Sequence, residues 1–279
     1  MRARLFVGFV VLAAVSVPIQ AGGVGQRGTA TVTIAAAGDI ARANAPGTPQ
    51  QQTAALITGT IQPSKVLALG DTQYEHGEYT QYTKSYDPSW GAFKSITAPV
   101  VGNHEYETAG ADGYFRYFAT QLAQYQSSAS DPTNGAYSFD IGAWHVVGLN
   151  SNCAVISCSA QINWLKQDLQ ADSHLCELVM YHHAGRKSLA KAANAQGVDL
   201  ILAGHKHTYE RWDRVFGLNV RQFTVGTGGK SAGTPSSSAD AGVQAYGVLR
   251  LDLSGSGYTW SFLDVARRVR DSGSGSCHS

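Results

Sequence analysis

Five short polar clusters hold most of the residues whose types could do chemistry. They are Asp39 after Gly38, Asp71 and Tyr74 in GDTQY (70–74), Asn103 and His104 in GNHE (102–105), the pair His182-His183, and His205 and His207 in GHKH (204–207). Taken singly, each has an ordinary explanation. Gly-Asp commonly marks a turn or a helix N-cap, asparagine tolerates left-handed backbone, and a lone histidine in apolar surroundings is usually a satisfied structural residue. Together they offer carboxylate, imidazole, amide-oxygen and phenol donors. That set suits first-row metals and is large enough for two ions, which need about seven protein ligands. Two adjacent ions can clamp a phosphoryl centre and generate hydroxide near neutral pH.

Each cluster follows an apolar run that reads as a buried strand: 31–37 (TVTIAAA), 65–69 (KVLAL), 98–101, 176–181 (CELVMY) and 199–203. Side chains at the carboxyl ends of such strands face the crevice where open α/β sheets place their chemistry. Between the first two runs, Thr48-Pro49 supplies an N-cap and a first-turn proline for a helix over 51–60. Strand, helix and strand in that order form a right-handed crossover.

The aromatic-rich stretch 75–95 (Tyr79, Tyr82, Tyr86, Trp90, Phe93) reads as a helical lid on the core rather than a base-stacking platform. Residues 113–119 look helical, and 136–141 and 143–149 alternate about Gly142 as a hairpin. Helices follow over 161–170, with Trp164, Leu165 and Leu169 on one face, and over about 188–195. Further strands are expected near 221–225, 246–253 and 258–263, with a Gly- and Ser-rich loop over 226–242. TVGTGGK (224–230) has the wrong spacing for a P-loop and reads as a strand-ending turn near the metal rim. The order suggests an α/β protein, a two-sheet sandwich flanked by helices, with no repeat and no linker.

A formal charge of +1 over 279 residues excludes a protein built mainly to neutralise a nucleic-acid backbone. Residues 1–21 have the charged, apolar, small-residue order of a secretory signal peptide, and the apolar run 5–17 is short of the ~20 residues a membrane span needs. A flexible lead (22–30) and one domain (31–279) follow, in a secreted, periplasmic or extracellular protein without a membrane span after cleavage. The four cysteines allow three pairings. Cys153 and Cys158 are close enough to close a small loop, and pairing Cys176 with Cys277 would pin the Ser/Gly-rich tail 271–279. His145, His174 and His278 are given ordinary structural roles.

The series GDI (38–40), GDTQY (70–74), GNHE (102–105), VMYH (179–182) and GHKH (204–207) resembles the calcineurin-like metallophosphoesterase superfamily. That family's first motif is usually Asp-x-His, and here Ala41 stands third. Tyr74 instead gives the GDxxY form of purple acid phosphatases. YERW (209–212) and the turn at 226–229 are similar to the small secreted bacterial members of that branch.

The resemblance implies a four-layer α/β/β/α sandwich of two mixed sheets. It implies one metal on Asp39, Asp71, Tyr74 and His207, a hard set suited to Fe(III). The second metal, on Asp71, Asn103, His182 and His205, would be Zn(II), Mn(II) or Fe(II). Asp71 would bridge, His104 would contact phosphate and protonate the leaving oxygen, and a metal-held hydroxide would attack phosphorus in line. The implied activity is hydrolysis of small phosphate esters, foremost as a broad phosphomonoesterase. A phosphodiesterase or nucleotidase could use the same metals, and an intact His104 argues against a non-catalytic module. The segment after VMYH departs from the family, lacking the usual proline and longer loop. That leaves a more open pocket, with His183 and Arg186 as substrate-side candidates. His183 is also the alternative to His182 as ligand, although the motif's register favours His182.

Overall fold

A computed structural model describes residues 30–42, 47–125 and 134–278. The expected signal peptide and nearly all of the lead lie outside the described residues. The strands are β1 (Val32–Ala37), β2 (Lys65–Leu69), β3 (Thr97–Val100), β4 (Tyr137–Ile141), β5 (Trp144–Gly148), β6 (Cys176–His183) and β7 (Leu200–Gly204). They continue with β8 (Tyr209–Trp212), β9 (Arg221–Val225), β10 (Ala241–Val243), β11 (Gly247–Leu253), β12 (Gly257–Asp264) and β13 (Val269–Ser276). One six-stranded sheet runs β13-β12-β11-β1-β2-β3, and one seven-stranded sheet runs β10-β8-β9-β7-β6-β5-β4. Both are mixed. β1, β2 and β3 are parallel, as are β5, β6, β7 and β9, while the outer strands are mostly antiparallel.

The sheets stack through their apolar faces, with helices outside, giving the expected four layers. β6 shows the logic: Leu178 and Met180 enter the core between the sheets. Val179 and Tyr181 face the other way, into a second cluster with Leu165, Leu169 and Leu189. Those three belong to α5 (Cys158–Ala171) and α6 (Lys187–Ala195), labelled after α1 (Pro49–Leu56), α2 (Tyr79–Gln81), α3 (Asp112–Tyr117) and α4 (Ala119–Tyr125). A strand covered on both faces is apolar throughout, which is why these runs are legible in sequence. The aromatic stretch after β2 is a helical cover: Tyr82, Tyr86, Trp90 and Phe93 are buried.

Several details differ from expectation. Pro49 does open α1, but Thr48 gives no side-chain cap; its carbonyl takes the Gln51 and Gln52 N–H groups, and the side chains of Gln51 and Gln52 bond Gly47. Trp164 is only half-buried, and Gln161 joins Leu165 and Leu169 on the inner line of α5. The strands β8, β10 and β13 were not foreseen. β13 is the Ser/Gly-rich tail, and it pairs with β12 because its glycines fit against aromatic rings. A Cβ on Gly273 would meet Trp260 at 2.5 Å, and one on Gly275 would meet Tyr258 at 2.6 Å. The disulfides are Cys153–Cys158 and Cys176–Cys277, the second joining the end of β13 to the start of β6 in the other sheet.

Candidate metal centre

At the ends of β1, β2 and β7 the backbone reverses sharply, and four donors occupy the left-handed region: Asp39 (φ 58°), Asp71 (φ 45°), His205 (φ 75°) and His207 (φ 49°). Such conformations cost a non-glycine residue roughly 1–3 kcal/mol each and persist only where the surroundings impose them. Glycines make room for the approach. A Cβ on Gly102 would lie 2.1 Å from Asp71 Oδ1, and Gly70, at φ 79°, leaves no space for one beside the His182 ring.

The donors converge. The Tyr74 hydroxyl is buried, 2.8 Å from Asp39 Oδ1, 2.9 Å from Asp71 Oδ2 and 3.2 Å from His207 Nε2. Asp71 Oδ2 lies 3.2 Å from His182 Nε2, which is in turn 3.1 Å from Asn103 Oδ1 and 3.2 Å from His205 Nδ1. Asp71 therefore stands between two groups of ligands. The ligand atoms of Asp71, His182 and His205 lie within 4.8 Å of one another, a spacing that a metal can span. The buried carboxylates form the floor and His205 stands exposed on the rim.

The donor chemistry fits cations. One phenolic proton cannot serve two carboxylates and an imidazole at once. Burial, then the charges of Asp39 and Asp71, push the Tyr74 phenol far above its ordinary pKa, so a phenolate here needs a counter-cation. For Asp71, burial acts upward, but His182 outweighs it and the carboxyl is held well below its usual range.

Outer partners fix the donors. His182 donates Nδ1–H to the Leu69 carbonyl (2.8 Å), turning Nε2 toward the centre, and His207 Nδ1 sits 2.5 Å from Ser231 Oγ. Asp39 Oδ2 accepts the His205 backbone N–H at 2.7 Å, and Asp71 Oδ1 accepts that of His104 at 2.9 Å.

Glu105 is the functional residue that the sequence reading quoted without assigning. Fully buried, it accepts the N–H groups of Asp71, Thr72, Gln73 and Gly102, and the hydroxyls of Thr72 and Tyr82. It clamps the β2 turn to the β3 turn. Its position three residues after Gly102 in GNHE was the available signal. The turn at 226–230 also lies on the rim as expected: Lys230 N–H bonds the Asp39 carbonyl, and its Nζ lies 4.3 Å from the Tyr74 ring centre and pairs with Glu75.

His104 is half-buried beside Tyr74, with ring centres 4.4 Å apart; it donates Nδ1–H to the Glu75 carbonyl at 2.6 Å, and Nε2 lies 4.0 Å from Asp71 Oδ2. The geometry separates the adjacent histidines: His182 enters the ligand ring, whereas His183 Nδ1 lies 2.8 Å from Ser151 Oγ, outside it. Burial, then His182, His205 and Arg186, push His183 down to about 3, so it is neutral. Arg186 is not among the converging donors; its Nε–H goes to the Ser151 carbonyl at 2.8 Å.

The chain matches the calcineurin-like phosphoesterase family over residues 32–209, and it belongs to that family. Its relatives include purple acid phosphatases. It is 25% identical over 214 residues to purple acid phosphatase 23 of Arabidopsis thaliana, covering 60% of this chain and 47% of that protein. The chain thus spans less than half of that relative's length. A purple acid phosphatase from yellow lupin seeds (Lupinus luteus) shares the fold at a TM-score of 0.67 and 18% identity, over 88% of this chain and 54% of that one. GAP50, the anchor in the inner membrane complex of Plasmodium, shares it at a TM-score of 0.64 and 14% identity over 90% of both chains. The family match and the converging donors together make this a candidate metal centre of the calcineurin-like phosphoesterase type. Among the described residues no helix is long and apolar enough to cross a membrane.

Proposed function

We propose that this protein is an exported phosphomonoesterase of broad specificity and of the purple acid phosphatase type. The observation that carries the reading is the buried Tyr74 hydroxyl, held within hydrogen-bond distance of Asp39, Asp71 and His207. In this reading Asp39, Asp71, Tyr74 and His207 hold Fe(III), and Asp71, Asn103, His182 and His205 hold Zn(II), Mn(II) or Fe(II). When bound, the ions supply Lewis-acid polarisation of the phosphoryl group and water acidified toward neutral pH.

The chain's own groups orient the ester and move a proton. His104 is held through Nδ1–H on the Glu75 carbonyl, with its other nitrogen toward the floor. As an imidazolium it contacts phosphate and gives its Nε2 proton to the leaving oxygen. Arg186 and His183, tied together through Ser151, are in this reading the further side chains offered to the substrate.

Export is supported by the signal-peptide-like residue order of 1–21 and by two disulfides, which persist in oxidising compartments. The motifs favour the small secreted bacterial form, while the matched phosphatases named above are plant proteins. The short turn from His183 to α6 supports a second reading, a phosphodiesterase or nucleotidase with an open rim. The fold alone does not select catalysis. The reading therefore rests on the donors and on His104.

The test is initial rates on one aryl phosphomonoester and the matching diester, with metal-replete protein, before and after chelation. Faster monoester turnover that is lost on chelation supports the phosphatase. Faster diester turnover moves the assignment to the second reading, and no turnover of either with metals bound rejects both. A visible tyrosinate-to-iron absorption, absent in Tyr74→Phe, tests the Fe(III) assignment.

A further inference from the structure

At the opposite end of β6 lies a second convergence of histidines and aspartates. The ligand atoms of Asp140, His145, Asp172 and His174 lie within 4.8 Å of one another. Asp140 and His145 face each other across the β4–β5 hairpin, Asp172 is the C-cap of α5, and His174 lies in the connection to β6. His145 Nδ1 is 2.7 Å from Asp140 Oδ1 and 3.7 Å from Asp172 Oδ1. His174 Nδ1 is 2.7 Å from Asp172 Oδ1 and 3.9 Å from Asp140 Oδ1.

We propose that these four side chains form a structural divalent-cation site of zinc type, separate from the catalytic centre, that clasps the β4–β5 hairpin to the α5–β6 connection. Zinc bonds of ~2.0–2.1 Å require ligand atoms about 3.3–3.4 Å apart in a tetrahedron, and the four distances above depart from that by about 0.3–0.7 Å. Imidazole nitrogens and carboxylate oxygens are both zinc ligands, and four of them complete a tetrahedral shell.

Three further features point to a cation. Asp168, outside the four, accepts His145 Nε2–H at 2.9 Å and is itself held by Ser138 Oγ at 2.9 Å. This is the carboxylate–histidine arrangement that orients a metal-binding imidazole, and it aims Nδ1 into the cluster. The negative end of α5 lies at Asp172. Among the described residues no lysine or arginine forms an ion pair with Asp140, Asp168 or Asp172; their partners are histidines. The competing account is a proton-held network. In that account the same carboxylate–imidazole contacts hold the cluster together without an ion.

The test compares wild type, Asp140→Asn and His174→Gln, stripped with chelator, reloaded with excess Zn²⁺, desalted and assayed for metal per chain. Asp140 and His174 are the more accessible members, with side chains 59% and 27% exposed, which favours folded variants. The expected result is one zinc fewer per chain in each variant, with phosphate-ester turnover unchanged, and a zinc-dependent rise in Tm that is larger in wild type than in either variant. Equal zinc content in all three proteins overturns the proposal, as does a wild-type Tm that does not respond to zinc. Repeating the comparison in an Asp71→Asn background removes the catalytic centre from the count. A surviving difference of one zinc there supports the site even if the catalytic reading fails, and no difference rejects it.

Discussion

The two ends of β6 carry the same residue types in different backbone settings. At the carboxyl end, histidines and aspartates sit on turns after apolar strands, four of them at positive φ, with glycines cleared away beneath them. At the amino end, six residues and about 20 Å away, Asp140 and His145 lie on a regular hairpin and Asp172 caps a helix. Strain at the first end holds the donors in one converging arrangement, as the proposed phosphate-ester chemistry requires. Regular elements at the second end hold donors where a clasp needs them. In the proposed readings turnover belongs to one pole and cohesion to the other.

The sharpest way to break it is Asp71→Asn. Asp71 touches both ligand groups, so the variant is expected to lose catalytic-centre metal and all measurable turnover, read by metal analysis and initial rates. Retained turnover would remove the catalytic assignment. Next is His104→Ala. Loss of general-acid help is expected to lower kcat by about 10²–10⁴, more for an alkyl phosphate than for a nitrophenyl phosphate, whose leaving oxygen needs no proton. An equal loss on both substrates would make His104 a binding group.

Glu105→Gln should act through position. Each of its four backbone partners can only donate, so an ionised carboxylate fits them, although burial and then Asp71 push its pKa up. The amide turns a donor toward donors. A stability loss of about 1.5–3 kcal/mol is expected from a bond to a buried charged group, with kcat falling and KM little changed. Denaturant midpoints and saturation kinetics separate the two effects.

The same contrast explains what the sequence could reveal. Buried parallel strands write themselves as apolar runs, and a turn that follows each run exposes its polar residues, so β1, β2, β3, β6 and β7 and every converging donor were legible. His145 and His174 read as ordinary structural residues in the sequence because their cluster is assembled from a hairpin, a helix end and a loop, with no common spacing. The role of Glu105 is not legible in the motif, since six bonds to one carboxylate depend on how two turns and the helical cover meet. β13 was missed because Ser/Gly alternation reads as a flexible tail until the rings of Trp260 and Tyr258 are in place. The choice between His182 and His183 needed the third dimension, as did Arg186, whose place beside Ser151 no motif encodes.

The smallest effect on turnover belongs to Cys277→Ser. The Cys176–Cys277 bond spans 101 residues and joins the last strand of one sheet to β6 of the other, two residues after His174. In the chain-entropy account a loop of ~100 residues contributes about 4.7 kcal/mol, and removing a native disulfide commonly costs about 2–5 kcal/mol. His278 also holds Asp199 through its backbone N–H (2.6 Å) and its Nδ1 (2.7 Å), so part of the tail's anchorage survives and the lower part of that range is expected. Because the bond lies at the amino end of β6, kcat below the melting transition should match wild type while Tm falls. If kcat falls at temperatures where circular dichroism shows the variant folded, the two poles are coupled along β6. Cohesion at one end would then be part of the geometry at the other.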